Sequence, residues 1–313
     1  MTRVVVVGGS GFVGSQVILS LNARDVHARG VKAPRLLWCP SEASPLESTV
    51  NGPYFDNFVS VLRRQRPDVV VNSAGIADAL SGDVQRLFGA NAATVAFVAR
   101  AAREAGIHRF IQVSSAAVQG RRAVLDSSEA MAALTPYAES KALGETLALK
   151  YGPPGTVVYR PAGVHGISRP VTQSVARYAR SPLAIVGARN ASTPQALTQN
   201  VADAIAFLAL SDGPVPRRVH HPAEGMTVGS LLEALGGKAP LDVPLLALAR
   251  PLMKTAGGRY GGHARRLEML WFGQGQAQSW LTAAGWQPPI GQEGWHHLGA
   301  ALQRGRSVPS SIA

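Results

Sequence analysis

The sequence predicts an α/β fold in which one doubly wound parallel sheet is joined to a smaller C-terminal lobe. The first observation is an apolar, β-branched run at residues 2–8, typical of a strand buried on both faces. A glycine-rich turn and a helical stretch follow directly, and strand and helix patterns then alternate up to residue 160. We therefore expect a dinucleotide-binding (Rossmann) domain over residues 1–166 to which 193–212 return, a mainly substrate-binding lobe over 167–303, and a frayed tail over 304–313.

The glycine turn GGSGFVG carries a dinucleotide-binding fingerprint, because it lies between a strand and a helix. Its first glycine permits a tight turn, the second lets the backbone approach a pyrophosphate, and the third lets the helix pack on the strand. The helix then offers free N–H groups and a positive dipole end to the phosphate. The expected cofactor-binding residues of this turn are Gly8, Gly11, Phe12, Val13 and Gly14.

The second strand has two candidates, VHARGV at 26–31 and RLLWC at 35–39. Neither ends in the acidic residue that would bind a ribose 2′-hydroxyl and select NAD. Basic side chains here could instead meet a 2′-phosphate. The candidates are Arg29, Lys32 and Arg35, and we therefore favour NADP(H) over NAD(H).

Small residues end the next buried strand, VVVN, at Ser73, Ala74 and Gly75. They fit a cofactor that lies across the sheet edge, so we include all three in its binding site. A long helix is expected over 84–105. Within it, Asn91 either hydrogen-bonds a neighbouring strand or is a surface amide.

A helix that begins near Pro136 places Tyr137 and Lys141 on one face, four residues apart. A cation near a phenol lowers the phenol pKa, so Tyr137 is a plausible general acid/base. Ser115 follows the strand at 108–114 and should reach the same sheet edge. We expect Ser115 to hold a substrate oxygen, Tyr137 to pass the proton, and Lys141 to tune the phenol and hold the nicotinamide ribose. This set suits redox chemistry between an alcohol and a ketone.

These motifs together resemble the extended short-chain dehydrogenase/reductase family, often called the NAD-dependent epimerase/dehydratase family. The resemblance covers residues 1–210, and the later part of the chain corresponds to the family's substrate lobe only by position. It implies an active enzyme whose catalytic residues are Ser115, Tyr137 and Lys141. The matching segments are GGSGFVG at 8–14, RPDVVVNSAG at 66–75, VSSAAVQG at 113–120, YAESK at 137–141, RPAGVHG at 160–166 and TPQALTQNVADAI at 193–205.

Departures from the family pattern narrow the reaction. Sugar dehydratases of the family carry Asp-Glu where this chain has Ala116-Ala117, so dehydration lacks its carboxylates. The stretch 66–145 is similar to nucleotide-sugar 4-ketoreductases, which implies reduction of a keto group on a nucleotide-linked deoxysugar. Nucleotide-sugar 4-epimerisation with bound NAD and reduction of a polyketide- or steroid-like ketone remain alternatives. A cofactor-sensing protein without activity is less consistent with the intact catalytic set.

The resemblance also suggests substrate contacts, namely Ser115, Ala116, His165 and Arg177. His165 stands where the family has tyrosine, and a purely structural role is the alternative. An arginine grip on a nucleotide diphosphate is expected in the C-terminal lobe. Its candidates are Arg169, Arg177, Arg180 and Arg189.

Composition limits the other classes of function. The net charge is +12, but the arginines are scattered without interleaved aromatics, so we expect an anionic small molecule and no nucleic acid. Cys39 is the only cysteine, which is typical of a cytoplasmic protein, and no apolar run is long enough for a membrane span. The histidine pairs lack metal-ligand spacing, so no metal is expected. The apolar stretch 243–256 is expected to be a lid or core helix, with a homodimer contact or a membrane-surface anchor as alternatives.

Overall fold

The computed structural model describes residues 2–40, 46, 51–78, 80–255 and 258–304, without the side chains of residue 254 and residues 258–261. The strands, in chain order, are β1 Arg3–Val7, β2 His27–Val31, β3 Val69–Asn72, β4 Arg109–Val113, β5 Val124–Leu125, β6 Gly155–Arg160, β7 Gly163–His165, β8 Ile185–Val186, β9 Gln195–Leu197, β10 Arg218–His220, β11 Leu241–Asp242 and β12 Gly275–Gln276.

The helices surround the central sheet and build the C-terminal lobe. The α-helices are α1 Phe12–Asn22, α2 Pro53–Gln65, α3 Val84–Phe88, α4 Thr94–Glu104, α5 Pro136–Tyr151, α6 Pro170–Arg180, α7 Thr198–Leu210, α8 Val228–Gly236, α9 Arg250–Thr255, α10 Gly258–Phe272, α11 Trp280–Ala283 and α12 Glu293–Arg304. A π-helical turn spans Gly89–Ala93, and 3₁₀ turns span Ala116–Gln119 and Pro244–Ala249.

Six parallel strands form the central sheet of the described residues, in the order β10–β6–β4–β3–β1–β2. The chain moves outward from β1 to β2 and then crosses back to β3. The crevice beyond the carboxyl ends of β1 and β3 is therefore a topological switch point, where doubly wound sheets bind ligands. The predicted fold class is confirmed, and the glycine turn and residues 73–75 both lie at this point.

Apolar side chains cover both faces of the sheet, as its valine-rich strands predict. On one face, α2 and α4 pack through Phe55 and Phe97, whose rings meet edge to face with centroids 5.2 Å apart. On the other face, α1 packs against α7 through Val17, Leu21 and Val201. Helix α7 lies within residues 193–212, so this segment contributes to the core of the sheet.

The second strand is the earlier candidate, because β2 pairs in register with β1 from Arg3–His27 to Val7–Val31. Residues 35–39 form no strand. They instead pass close to the π-helical turn, where the β-carbon of an alanine at 89 would lie 2.0 Å from the Leu36 carbonyl oxygen. Gly89 therefore allows the backbone after β2 to cross the long helix that the sequence predicts over 84–105.

The C-terminal lobe has its own small core, in which α6, α8 and α12 pack around the fully buried Trp295. The last helix of this lobe, α12, includes Arg304, the first residue of the expected tail, and residues 305–313 of that tail lie outside the described residues. The stretch 263–283 is helical only in part, since α10 ends at Phe272 and β12 precedes α11.

The apolar stretch 243–256 is neither a lid nor a core helix in its described residues. Leu245, Leu248 and Leu252 point outward and are 75%, 77% and 75% exposed, while Met253 anchors the inner side. None of these leucines lines the cavities described below. In the described part of the chain, no helix is long and apolar enough to cross a membrane.

Candidate active site

A cavity of about 950 Å³ lies at the carboxyl ends of β1 and β3. Its walls include the glycine turn, Phe12 and Val13 on one side and Ser73, Ala74 and Gly75 on the other. The structure therefore brings together the residues that the sequence predicts for the dinucleotide.

The glycine positions are required by close approach of the backbone. Gly8 has a φ of +79°, a left-handed conformation that favours glycine. A β-carbon at position 14 would lie 2.3 Å from the Gly8 carbonyl oxygen and 2.5 Å from Ser73 Oγ. Helix α1 thus starts directly against the turn, with its free N–H groups at the cavity, as a pyrophosphate requires. The residues present fit a nicotinamide dinucleotide.

The basic residues that the sequence predicts near the cofactor, Arg29, Lys32 and Arg35, divide into two groups. Lys32 and Arg35 line the cavity. Arg29 lies in the middle of β2, opposite Val5, and does not line the cavity. The structure therefore does not bring Arg29 to the cofactor site, because the strand continues beyond it.

Ser115, Tyr137 and Lys141 converge beside this cavity. Ser115 caps the 3₁₀ turn after β4, where its Oγ accepts a hydrogen bond of 3.2 Å from the Ala117 N–H. Thr135 caps α5 in the same way, so Tyr137 occupies the first turn of the helix. The side chains of Ser115 and Tyr137 share a hydrogen bond, and Tyr137 is only 9% exposed.

The Lys141 ammonium lies one helical turn beyond Tyr137 and is buried. Its Nζ donates to the Val113 carbonyl oxygen over 3.4 Å, and a β-carbon at Gly75 would lie 2.9 Å from Nζ. Burial, with a smaller contribution from Arg169, lowers the pKa of Lys141 to about 8, although Glu145 opposes this shift. Lys141 is therefore close to its titration range at neutral pH.

The pKa of Tyr137 differs from the expectation of a lowered value. Burial of the phenol raises its pKa, while the hydrogen bond with Ser115 and the charge of Arg169 act in the opposite direction. The free-energy cost of removing the phenolate from water is larger than the stabilisation of the phenolate by Ser115 and Arg169. Tyr137 therefore remains protonated at neutral pH, ready to donate rather than to accept a proton.

Asn91 connects the two halves of the site, so it is not a surface amide. It lies in the π-helical turn, and its side chain bonds both the N–H and the carbonyl oxygen of Ile76 at 3.0 Å. Its amide nitrogen also donates to Ser140 Oγ at 3.1 Å, next to Lys141. Asn91 thereby ties the loop after β3 to the catalytic helix.

A buried ion pair lies behind the predicted catalytic residues. Arg160, at the end of β6, donates two hydrogen bonds to Glu145 on α5, at 2.9 and 2.7 Å. Ser114 Oγ also donates to Glu145 at 2.6 Å. Because Ser114 precedes Ser115 and Glu145 follows Lys141 by one turn, this network fixes two of the three predicted catalytic residues.

A second cavity, of about 200 Å³, opens at Ser115 and Tyr137 on the side of the C-terminal lobe. Ala116 is part of its wall, as the sequence predicts for a substrate contact. A third cavity of about 250 Å³ is lined by His165 and shares three wall residues with the second. These shared residues, all on α10, are Arg265, Arg266 and Met269.

The two arginines of this wall have different surroundings. Arg265 is engaged within the protein, since it donates to Glu268 at 3.1 Å and to the Gly120 carbonyl oxygen at 2.9 Å. The Arg266 guanidinium has no hydrogen bond or ion pair within the described residues, and Asp78 is the acid that acts on it. Half-burial lowers the pKa of Arg266. Sequence reasoning missed Arg266, because only the fold turns it toward the cavity.

The His165 side chain is held in place by contacts within the protein. Both ring nitrogens are hydrogen-bonded, to Gln195 at 2.8 Å and to Thr172 at 3.1 Å, and the ring packs against Trp295. Burial lowers the pKa of His165 to about 4, so the ring is neutral at neutral pH. It lines the third cavity but has no free nitrogen for a substrate.

The predicted arginine grip is not assembled. Arg177 is exposed on α6, bonds Ser174 at 3.1 Å and lines none of these cavities. Arg189 faces Glu233 at 3.6 Å. Arg169 instead lines the dinucleotide cavity. Among the described residues, no group of three or more His, Cys, Asp or Glu side chains could hold a metal ion.

Comparison with known proteins agrees with this geometry. The model of the NAD dependent epimerase/dehydratase family matches residues 4–224. A 3-beta-hydroxysteroid dehydrogenase of Mycolicibacterium neoaurum is 28% identical over 179 residues, which cover 52% of this chain and 48% of that protein. The chain thus spans about half the length of the curated relatives it matches first.

Solved structures match over both lobes. A UDP-glucose-4-epimerase from Stenotrophomonas maltophila, with bound NAD and formylated UDP-arabinopyranose, is 18% identical with a TM-score of 0.67, covering 98% of this chain and 99% of that one. A dTDP-4-dehydrorhamnose reductase from Bacillus anthracis, in complex with NADP, is 17% identical with a TM-score of 0.66, covering 96% and 100%. At these identities the similarity concerns the fold.

Proposed function

The chain belongs to the NAD dependent epimerase/dehydratase family, and we propose that it reduces the keto group of a nucleotide-linked deoxysugar with NADPH. When bound, the nicotinamide supplies a hydride to the carbonyl carbon. Ser115 holds the carbonyl oxygen by a hydrogen bond, and Tyr137 donates the proton to that oxygen. Lys141 holds the nicotinamide ribose through its ammonium group.

The observation that carries the sugar-nucleotide proposal is the position of Arg266. The cavity is lined both by Ser115 and Tyr137 and by the half-buried Arg266, whose guanidinium has no hydrogen bond or ion pair within the described residues and interacts electrostatically with Asp78. A guanidinium that borders the cavity can bind an anionic group of the ligand, and the fork of donors in arginine suits a phosphate. The wall between these ends includes Leu125, Leu134 and Met269, which suits the apolar edge of a deoxysugar.

Three further observations support the substrate class, the cofactor preference and the reaction type. The named structural relatives cover nearly all of this chain, including its substrate lobe, and one of them has a nucleotide sugar bound. Lys32 and Arg35 at the dinucleotide cavity favour NADP(H) over NAD(H). Ala116 and Ala117 offer no carboxylate for a dehydration step.

Turnover assays with NADPH and a nucleotide-linked 4-keto-6-deoxyhexose test the chemistry. We expect stoichiometric NADPH oxidation, and we expect Tyr137→Phe to reduce kcat by ~10²–10⁴-fold because a positioned proton donor is lost. Full turnover by Tyr137→Phe would contradict the mechanism. An epimerase would instead retain tightly bound oxidised cofactor and convert the sugar nucleotide without net NADPH consumption.

Substitution of Arg266 tests the substrate class. Arg266→Ala should raise the KM for the sugar nucleotide by about tenfold or more, because a charge-assisted contact is lost, while the KM for NADPH stays unchanged. Arg177→Ala is the matched control, since Arg177 is exposed and lines none of the cavities. Equal KM values for both variants would argue against the anionic anchor.

A second candidate is reduction of a non-sugar ketone with a polyketide- or steroid-like skeleton. It is favoured by the mostly apolar wall of the second and third cavities, including Leu125, Met269 and Leu270. Some of the curated relatives are named as steroid dehydrogenases. For this candidate, an uncharged ketone should be turned over, and Arg266→Ala should leave its KM unchanged.

A further inference from the structure

Glu268 on α10 is a charged side chain inside the protein, since only 2% of it is exposed. Its carboxylate accepts a hydrogen bond from Arg121 Nε at 2.9 Å and another from Arg265 Nη1 at 3.1 Å. Arg250 Nε lies 3.7 Å from its second oxygen. Burial opposes ionisation, but the hydrogen bonds and charges of Arg121 and Arg265 outweigh it and lower the pKa of Glu268. One carboxylate is therefore surrounded by three guanidinium groups.

The partners of Glu268 come from separate parts of the chain. Arg121 follows the 3₁₀ turn that Ser115 caps, and Arg250 is the first residue of α9. The Arg121 guanidinium also donates to the Met253 carbonyl oxygen of α9 at 2.9 Å. The carboxylate and its arginines thus join α9 and α10 to the segment that follows the predicted catalytic serine.

A second set of hydrogen bonds crosses the same interface. Arg265 Nη2 donates to the Gly120 carbonyl oxygen at 2.9 Å and to Gln274 Oε1 at 2.5 Å. Gln274 Nε2 in turn donates to the carbonyl oxygens of Gly120 and Arg122, at 3.1 and 2.6 Å. Because Glu268 binds Nη1 of the Arg265 guanidinium, it orients Nη2 of the same group toward this backbone.

The interface that Glu268 holds together is also part of the second cavity. Gly120 belongs to one side of the cavity wall, and Arg266 and Met269 belong to its side on α10. Glu268 does not line the cavity, but it lies between these two residues in the sequence of the helix. The spacing between the two sides of the wall therefore depends on the Glu268 contacts.

The carboxyl end of α10 is attached to the C-terminal lobe. The N–H groups of Gly187 and Ala188, which follow β8, both donate to the Trp271 carbonyl oxygen, at 3.0 and 2.9 Å. The Glu268 cluster lies about one turn earlier in the helix and reaches toward the sheet. It thus bridges the lobe that carries Arg266 and the domain that carries the predicted catalytic residues.

We propose that Glu268 is a positioning residue of the substrate site, which holds α10 at the distance from the predicted catalytic residues that substrate binding requires. The inference rests on the proposed function, because the ligand of Arg266 is the group whose binding depends on that distance. Glu268 acts through its arginines and makes no contact with the ligand. Removal of its charge leaves Arg121, Arg250 and Arg265 together without compensation, and their repulsion moves the two sides of the wall apart.

Steady-state kinetics of Glu268→Gln with NADPH and a nucleotide-linked 4-keto-6-deoxyhexose test the proposal. Glutamine keeps the shape of the side chain but not its charge. The substrate KM should rise by about tenfold, because a displaced Arg266 makes weaker hydrogen bonds to a charged group. The kcat should change much less, and the KM for NADPH should stay unchanged. Loss of stability alone would not produce this split, since it lowers the fraction of active molecules and leaves KM as it is. Glu268→Asp restores the charge and should recover part of the affinity.

Hydrogen exchange reports the position of α10 without any substrate. The N–H groups of Gly275 and Ala277 donate across the same interface, to the carbonyl oxygens of Ala123 and Leu125, at 3.2 and 2.8 Å. Glu268→Gln should accelerate the exchange of these two N–H groups by about tenfold or more, because the interface opens more often.

Glu233→Gln is the matched control, since Glu233 is exposed on α8 and its ion pair with Arg189 lies outside the cavities. It should match the unmodified protein in both measurements. An unchanged substrate KM in Glu268→Gln would overturn the proposal, and so would an unchanged exchange rate. An unmodified protein that leaves the sugar nucleotide untouched would refute the proposed function alone, and the exchange rates would then decide whether Glu268 holds α10 in place.

Discussion

Replacement of Glu145 by glutamine probes how strongly the catalytic residues depend on the buried ion pair behind them. The side chains of Glu145 and Arg160 have no exposed surface, and their shortest contact is 2.7 Å. Glutamine has the same shape, but its amide nitrogen would face the donors of Arg160 and would leave that guanidinium as an uncompensated buried charge. Breaking such a pair by removing one partner costs about 3–5 kcal/mol.

The expected result is a decrease in Tm of about 6–10 °C, since a chain of this size loses roughly 2 °C per kcal/mol. Differential scanning fluorimetry measures it, with Glu139→Gln as the control because Glu139 is exposed on the same helix. A double variant with Arg160→Met removes the unpaired charge. It should be less destabilised than the sum of the two single variants, by ~0.5–3 kcal/mol.

Catalysis should change together with stability. The carboxylate of Glu145 raises the pKa of Lys141 against burial. Its removal should therefore move the alkaline limb of the pH–rate profile to lower pH. A Tm change below about 1 °C, or additive effects in the double variant, would refute the view that the pair acts as a unit that supports the site.

Three more predictions concern the cofactor. Gly14→Ala places a methyl group within 2.3 Å of the Gly8 carbonyl oxygen, so NADPH affinity measured by fluorescence should fall by about tenfold or more. Because the pKa of Lys141 is lowered to about 8, its charged form is present below that pH and lost above it. Turnover should therefore decline as the pH rises through about 8. Combined Lys32→Ala and Arg35→Ala should weaken NADPH binding by about tenfold or more and leave NADH binding unchanged.

Matched controls make these outcomes decisive. Gly82→Ala introduces a methyl group with no atom within 4 Å, so this variant should bind NADPH with the affinity of the unmodified protein. An equal loss of affinity in the Gly14 and Gly82 variants would contradict the packing argument. Lys141→Met should abolish the decline near pH 8. A decline that persists in this variant would assign it to another group. Arg29→Ala should match the unmodified protein for both cofactors, because Arg29 lies away from the cavity.

Much of the fold and of the site follows from local sequence patterns. The valines of β1, the glycine spacing after it and the four-residue step from Tyr137 to Lys141 are encoded within short windows. A doubly wound sheet brings the carboxyl ends of its strands to one edge. The proximity of Ser115, Tyr137 and the glycine turn can therefore be predicted from the sequence without a description of side-chain packing.

Other features depend on neighbours that are distant in the chain. The sequence leaves two roles open for the Asn91 amide, and its hydrogen bonds with Ile76 and Ser140 decide between them. The pKa of Tyr137 depends on its burial by the whole site, which no local pattern reports. The sequence offers two candidates for the second strand, and pairing with β1 shows that His27–Val31 forms it.

The arginines illustrate the difference between what the sequence determines and what the tertiary structure determines. By itself, the sequence determines the doubly wound fold and predicts the trio of Ser115, Tyr137 and Lys141, because hydrophobic periodicity, glycine spacing and helical spacing act over a few residues. Only the tertiary structure decides which arginines meet a ligand. It leaves Arg177 in solvent, pairs Arg265 with Glu268, and places Arg169 and Arg266 in the walls of cavities, where neither guanidinium has a hydrogen bond or ion pair within the described residues. A long, charged side chain acquires its role from the groups that surround its far end, and folding alone brings those groups together.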